Sequence, residues 1–429
     1  MLQELQQFAV DTRRKFHTVP EAGFTEFITT FEIYQLLQNL SFHLYIGKEI
    51  MDSDERMGLP KPEEIEASKE RALAYGVPEA FVEKLDGGHT GVVAVLDTGR
   101  IGPHIALRYD IDGLPIIESD EEGHAPFDEG FRSKHSQEMH ACGHDGHISI
   151  GLAAAKYIDA NKEKLTGKFT IIFQPAEEGL RGANSIVQKG WLDKVDYFMS
   201  GHLGINALQA GSVAATANQI LASTKFDVTF KGKSAHAGVE PNEGKNALNA
   251  AATALLQLNA ISRHRDGATR INVGHLSGGS GRNVIADEAV MLVETRGETT
   301  ELNQYMHQEA ERIIQASAAM YDIESNISFM GQGLGTVCDE AWIDIVKEAC
   351  QNNSDVKEVY DVLPLKASED VSYMMDHVQK NGGLATYMIF PSPLPAGHHH
   401  PQFDIDEEAI RTAVSVYIDV IHYLQPTIN

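Results

Sequence analysis

His140-Ala141-Cys142-Gly143-His144-Asp145-Gly146-His147 places three imidazoles, a thiol and a carboxylate within eight residues. An alanine-rich apolar run without strand alternation, residues 148–157, follows directly and predicts a buried helix. Neutral imidazole and thiolate are preferred ligands of borderline divalent metals such as zinc. A thiol at a helix N-terminus also feels the positive end of the macrodipole, which favours its deprotonated, metal-binding form. A lone histidine here would read as a satisfied structural residue. The density of donors favours a metal. Cys142 and His144, two apart, converge on one ion only if the backbone between them is irregular, which predicts a loop before the helix.

Working outward, short β-branched or aromatic runs read as buried strands over residues 90–96, 104–109, 169–173, 196–200 and 385–390. Helical patterns separate some of them, so the fold class is α/β, a central sheet flanked by helices. Reactive residues follow four of these runs. Asp110-Ile111-Asp112 follows the second, Pro175-Ala176-Glu177-Glu178-Gly179 the third, Gly201-His202 the fourth, and residues 397–400 lie past the fifth. Ligands of open α/β sheets bind outside the carboxyl ends of the strands, so these residues are expected to gather along one crest. Taken singly, each has a plainer reading. Glu177-Glu178 reads as a solvated pair, although Pro before and Gly after suggest a turn whose adjacent side chains diverge. His202 reads equally as core or ligand. Asp112 suits orienting a ligand imidazole.

Residues 220–332 have a different rhythm. Strands at 224–230, 270–276, 288–295 and 323–330 alternate with helices at 244–261 and 301–321 in βαββαβ order, a ferredoxin-like α+β module. Such an insertion suits a lid or dimerisation domain between two parts of a catalytic domain, 1–219 and 333–429. The loop Gly232-Lys233-Ser234-Ala235-His236-Ala237-Gly238 carries a histidine that reads equally as a polar turn residue.

At 429 residues the chain exceeds one ordinary core, and 42% hydrophobic residues indicate a globular protein. No apolar run approaches the roughly 18–20 residues that span a bilayer. Residues 1–16 read as a polar amphipathic helix rather than a signal peptide. A formal charge of −26 argues against nucleic acid or an anionic membrane as partner. Three widely spaced cysteines imply no disulfide framework and favour the cytoplasm.

Together these motifs resemble the aminoacylase and amidohydrolase family of co-catalytic metallopeptidases. The resemblance runs nearly end to end, through Arg13-Arg14, Pro20-Glu21, residues 110–115, 140–147, 175–179 and 236–241, Gly281-Arg282-Asn283-Val284-Ile285 and residues 399–403. A narrower likeness, to a branch acting on aroyl-glutamate amides, rests on Met57-Gly58-Leu59-Pro60, residues 91–99, Ser223-Thr224-Lys225-Phe226 and Val293-Glu294-Thr295-Arg296-Gly297. The resemblance implies a metallopeptidase-type catalytic domain and two divalent ions, Mn²⁺ or Zn²⁺, held by Cys142, His144, Glu178, His202 and His399. It implies Glu177 as general base and His236 reaching from the lid into a neighbouring subunit's site. Asn283 and Arg296 would bind the substrate and Asp112 would support a ligand. His399 is chosen over His398 and His400 because the family's ligand lies four residues before the aromatic, here Phe403. The implied substrate is a small N-acyl amino acid, and the implied assembly a homodimer or a heteromer with a related B subunit. Relative to typical amidohydrolases, residues 48–85 form a charged, partly helical insertion, which blocks a simple transfer of substrate preference.

Overall fold

The computed structural model describes residues 1–426, so the last three residues of the segment expected over 333–429 lie outside the described residues. In chain order the strands are β1 (His43–Ile46), β2 (Val92–Asp97), β3 (His104–Asp110) and β4 (Lys168–Gln174). Next come β5 (Tyr197–Leu203), β6 (Ser212–Ile220), β7 (Ala222–Lys231) and β8 (Thr269–Gly278). Last are β9 (Glu288–Gly297), β10 (Glu324–Gly333), β11 (Glu358–Ala367) and β12 (Leu384–Phe390).

Eight of them form one mixed sheet in the order β1-β2-β4-β3-β5-β12-β6-β11. Its strands alternate between two cores. Along β3, Ile105, Leu107 and Tyr109 enter one core and Ala106 the other; along β4, Phe169, Ile171 and Phe173 oppose Ile172. Because both faces are covered, these strands read as continuous apolar runs rather than as alternation. Helices Leu2–His17, His144–Asn161 and Glu408–Tyr423 cover the first face. Helix Val371–Lys380 covers the second. The helix His144–Asn161 lies close to the sheet at Gly151, where a Cβ would stand 2.5 Å from Tyr109 Cδ2 and 2.8 Å from Phe173 Cε1. Only glycine permits that approach.

Strands β3, β4, β5 and β12 are mutually parallel neighbours, so their carboxyl ends share one edge. Two details differ from the expectation. His202 does not follow the fourth strand but lies inside β5, where it pairs with Ile389 of β12. His144 is not in a loop but is the first helical residue, preceded by Gly143 at φ 84°. That left-handed glycine is the irregularity that turns Cys142 and His144 toward a common point.

The remaining four strands form a separate antiparallel sheet in the order β10-β7-β9-β8. Its first strand in sequence lies between the fourth and the third, the strand order of the split βαβ arrangement. Helices Ala247–Asn259 and Thr300–Met320 pack on one face around Phe226, Val228, Met291 and Met306. Among the described residues no helix is long and apolar enough to cross a membrane.

Candidate active site

The shared strand edge collects thiol, imidazole and carboxylate groups. Cys142 Sγ, a His144 ring nitrogen and a His202 ring nitrogen lie within 4.8 Å of one another. Cys142, Glu178 and His399 satisfy the same limit, as do His144, Glu177 and Glu178. Cys142 therefore belongs to two donor groups at once, and His144 to three, the third with Asp110 and His147.

The ring nitrogens are already oriented. His144 Nδ1–H donates to the Asp112 carbonyl oxygen at 2.9 Å, leaving a buried Nε2 with no hydrogen-bond partner. His202 Nδ1–H donates to the Leu203 carbonyl at 2.6 Å, leaving Nε2 3.5 Å from Cys142 Sγ. In each case one nitrogen is used by the backbone and the other faces the cluster, the arrangement of a metal-binding imidazole. Glu178 Oε1 is buried without a hydrogen bond and stands 3.2 Å from His399 Nε2. These unsatisfied atoms and the S, N and O donor set fit divalent zinc or manganese.

The carboxylates sit in a strained turn. Ala176 has φ 54° and Leu180 φ 69°, left-handed values that cost a non-glycine residue free energy. Buried acids hold the turn. Glu26 Oε1 accepts from Ala176 N–H at 2.9 Å, and Asp112 accepts from Glu177 and Glu178 N–H at 3.1 and 2.9 Å. Asp370 Oδ2 accepts from Gly182 and Ala183 N–H at 3.0 and 2.9 Å. Asp112 thus braces the Glu177-Glu178 turn with its carboxylate, while its carbonyl orients His144.

Charge here is unbalanced. Burial, with Glu369 and Glu178 nearby, pushes the Glu177 carboxyl well above the carboxylate range. Burial likewise lifts Glu369 to about 7, against the opposing charge of Arg108. Burial pushes His202 well below its ordinary value, with His147 adding to the effect, so it is neutral as a ligand requires. Burial and the Glu178 charge raise the Cys142 thiol. The helix N-terminus alone therefore does not yield the thiolate expected of it; a bound cation would supply that stabilisation and relieve the crowded acids.

His399 was singled out among three consecutive histidines. It is the one grouped with Cys142 and Glu178, and its backbone N–H donates to Ala141 O at 2.8 Å, from a left-handed φ of 62°. His398 also approaches, with Nδ1 3.6 Å from Cys142 Sγ and its ring against Phe403. His400 is exposed. Arg296, on β9, lines the same cavity of about 400 Å³ as Cys142, Glu177 and His202, together with Lys225 of β7. Two residues are not brought there. His236 and Asn283 are exposed on neighbouring loops of the second sheet, joined by the Ala237 N–H to Asn283 O bond of 2.9 Å, and neither lines the cavity.

Sequence reasoning missed the support beneath the site. Arg108, fully buried in β3, donates to Asp110 at 2.7 Å, to Gln174 at 2.8 Å and to Asp370 at 3.2 Å. Its signal was a lone arginine within an apolar strand. Glu369-Asp370, a second adjacent acidic pair at a helix start, repeated the Glu177-Glu178 pattern without a preceding proline to mark it.

The peptidase family M20/M25/M40 matches residues 106–423. The chain belongs to this family. Several known proteins are similar to it over nearly their whole length. The indole-3-acetyl-aspartic acid hydrolase of Enterobacter agglomerans is 42% identical over 403 residues, 94% of this chain and 92% of that protein. The A subunit of the p-aminobenzoyl-glutamate hydrolase of Escherichia coli strain K12 is 41% identical over 403 residues, with the same coverage. The crystal structure of the aminobenzoyl-glutamate utilization protein from Klebsiella pneumoniae superposes with a TM-score of 0.84 at 38% identity, covering 98% of this chain and 96% of that one. The narrower likeness noted from the sequence is thus to the p-aminobenzoyl-glutamate hydrolase A subunits. This M20 chain is a hydrolase of the metal-dependent amidohydrolase type.

Proposed function

We propose that the chain hydrolyses the amide bond of an N-acyl amino acid with a free carboxylate, with p-aminobenzoyl-glutamate as substrate and p-aminobenzoate and glutamate as products. The observation that carries this reading is Cys142 standing in two donor groups at once, beside a buried Glu177 and in one cavity with Arg296. Cys142, His144, Glu178, His202 and His399 would hold two divalent ions, Mn²⁺ or Zn²⁺. Such ions supply a Lewis acid for the carbonyl and make water acidic enough to attack at neutral pH.

The protein's own groups do the rest. Glu177, buried beside the donor groups and held by its N–H bond to Asp112, takes the proton of the attacking water and delivers it to the leaving amine nitrogen. Asp112 and Glu26 keep the Glu177-Glu178 turn in its strained form, so the base is already placed. Arg296 pairs with the substrate carboxylate, a geometry its forked donors suit. Glu294, 2.9 Å from Arg296, keeps the guanidinium in position until substrate arrives.

His236 and Asn283 act together from a neighbouring subunit. Their adjacency on an exposed face of the second sheet, away from this chain's own cavity, supports that reading. In it, residues 220–332 serve as lid and dimerisation domain between 1–219 and 333–429, and His236 stabilises the oxyanion of the tetrahedral intermediate. The partner is a second copy or a related B subunit; the Escherichia coli relative is by its name one of at least two kinds of subunit, which favours testing both. Three free cysteines suit the reducing cytoplasm.

The test is release of p-aminobenzoate by the purified chain under Mn²⁺ or Zn²⁺. Glu177→Ala is expected to lose turnover and keep its metal content, whereas loss of both would make Glu177 a ligand. Mixing His236→Ala with Glu177→Ala is expected to restore part of the activity in mixed dimers; no restoration removes the cross-subunit role.

A further inference from the structure

A second cavity, of about 770 Å³, opens on the other side of Glu178 and His399, which line both it and the site cavity. Its wall is built by the insertion: Gly58, Leu59 and Pro60, then Ala67 and Arg71 of helix Pro62–Tyr75. Ala22, Gly23, Gly113, Leu114 and Pro115 also line it, a mainly apolar and uncharged stretch of wall. Arg181 ties this wall to the site. Its Nη1 donates to Gly58 O at 3.0 Å and its Nε to Glu178 O at 2.8 Å.

Buried polar atoms are left over in this cavity's lining residues, among them Arg71 Nε and Glu138 Oε2. Glu138 Oε2 is buried with no hydrogen bond; Arg71 Nη2 stands at 3.7 Å, an ion pair without a hydrogen bond, and the ring of His135, kept neutral by burial and by Arg71, stands at 3.6 Å. Arg71 directs its hydrogen bonds elsewhere, from Nη1 to His135 Nε2 at 2.6 Å and from Nη2 to Ser68 Oγ at 3.4 Å. A buried carboxylate oxygen without a donor is completed by a ligand N–H. With the substrate carboxylate at Arg296 and the scissile amide at Glu177, the acyl group extends toward this compartment.

We infer that the insertion at residues 48–85 forms an acyl-group compartment for a flat aromatic ring, and that Glu138 accepts a hydrogen bond from an N–H at the far end of that ring. The assignment rests on the amide-hydrolase reading. It makes Glu138 a specificity-determining residue with no part in bond cleavage. A site built to hydrogen-bond a donor rejects the analogue lacking it, because the buried acceptor is then left unpaired.

The experiment compares kcat/KM for p-aminobenzoyl-glutamate, benzoyl-glutamate and N-acetyl-glutamate in the metal-loaded enzyme. The wild type is expected to favour the amino-bearing substrate over benzoyl-glutamate by about 10-fold or more. Glu138→Leu should bring that ratio within about threefold, while Glu138→Gln, which keeps a carbonyl acceptor, retains most of it. Ala67→Phe, on the exposed side of its helix, should lower both aroyl substrates about 10-fold or more and spare N-acetyl-glutamate. An unchanged ratio in Glu138→Leu, or an equal loss on all three substrates in Ala67→Phe, overturns the assignment. If the wild type cleaves none of the three, the hydrolase reading fails by itself. The compartment is then read by calorimetric binding of p-aminobenzoate against benzoate, where a preference that Glu138→Leu abolishes supports it and equal affinities refute it.

Discussion

Replacing Asp112 with asparagine tests the brace beneath the Glu177-Glu178 turn. In the wild type its two carboxylate oxygens each accept one backbone N–H, from Glu177 at 3.1 Å and Glu178 at 2.9 Å. An amide offers one acceptor and one NH₂, so one of the two buried donors must lose its partner. Losing a hydrogen bond to a charged group costs about 1.5–3 kcal/mol. The cost falls on a turn that already holds Ala176 at φ 54°, so the expected response is relaxation rather than local adjustment. Relaxation moves Glu178, while His144 keeps its bond to the Asp112 carbonyl, which the substitution leaves in place. Converted at about 1.4 kcal/mol per factor of ten, metal affinity should fall roughly 10- to 100-fold. Melting of the metal-free protein should drop by only about 2–3 °C, because a chain this long has a large unfolding entropy. Chelator-competition titration with Mn²⁺ or Zn²⁺ measures the first quantity and calorimetry the second. Affinity within threefold of wild type, with unchanged melting, would refute the claim that Asp112 holds the turn.

Other elements carry their own tests. His17 is buried between Asp145 and Glu118, at 2.7 and 2.9 Å, and despite the burial those bonds lift its pKa from 6.5 to about 9. A raised folded-state pKa stabilises fully below the unfolded value and is lost as pH climbs through 9, a change on the order of 3 kcal/mol. Stability should therefore fall between pH 6.5 and 9, and His17→Gln should flatten that slope in urea melts; an equal slope would count against it. Arg108→Met leaves Asp110, Glu369 and Asp370 without their buried cation and should cost about 3–5 kcal/mol by denaturant titration, less at pH 5 than at pH 8. Gly151→Val drives a side chain into Tyr109 and Phe173 and should lower stability by about 1–3 kcal/mol, with weaker metal binding because the same helix begins at His144; a stabilised variant would contradict the close approach.

Much of the fold could be read because its strands are short, apolar and buried on both faces. The runs at 104–109 and 169–173 stand out on composition alone, and the structure lengthens them only to His104–Asp110 and Lys168–Gln174. The βαββαβ rhythm was equally legible, since each strand and helix there buries one face and keeps its period. What stayed hidden were strands whose composition is ordinary. β6, Ser-Val-Ala-Ala-Thr-Ala-Asn-Gln-Ile, is made largely of small residues and lies between β12 and β11. β11 lies at the sheet edge, where Pro364 is tolerated and only Leu365 is buried. Neither has a local signal; both are strands because of what they pair with.

The site divides along the same line. Groups clustered in sequence or following a strand announced themselves: Cys142 and His144 across a glycine, Glu177 and Glu178 between proline and glycine. The groups that set their proton affinities did not. Glu369 comes from nearly two hundred residues downstream, yet after burial it is the largest influence holding Glu177 above the carboxylate range. Arg108 balances Asp110 and Asp370 from within a strand whose other side chains are mostly apolar. A ligand can be recognised from its own chemistry, because coordination selects the residue type. A proton acceptor cannot, because its pKa belongs to the neighbourhood, and that neighbourhood exists only once β3, β4 and the helix Val371–Lys380 have met. Fixing the acids in such a turn before any ion arrives is unfavourable by itself. That cost lies in the same carboxylates that a bound cation would neutralise, so metal binding and completion of the site are one equilibrium rather than two.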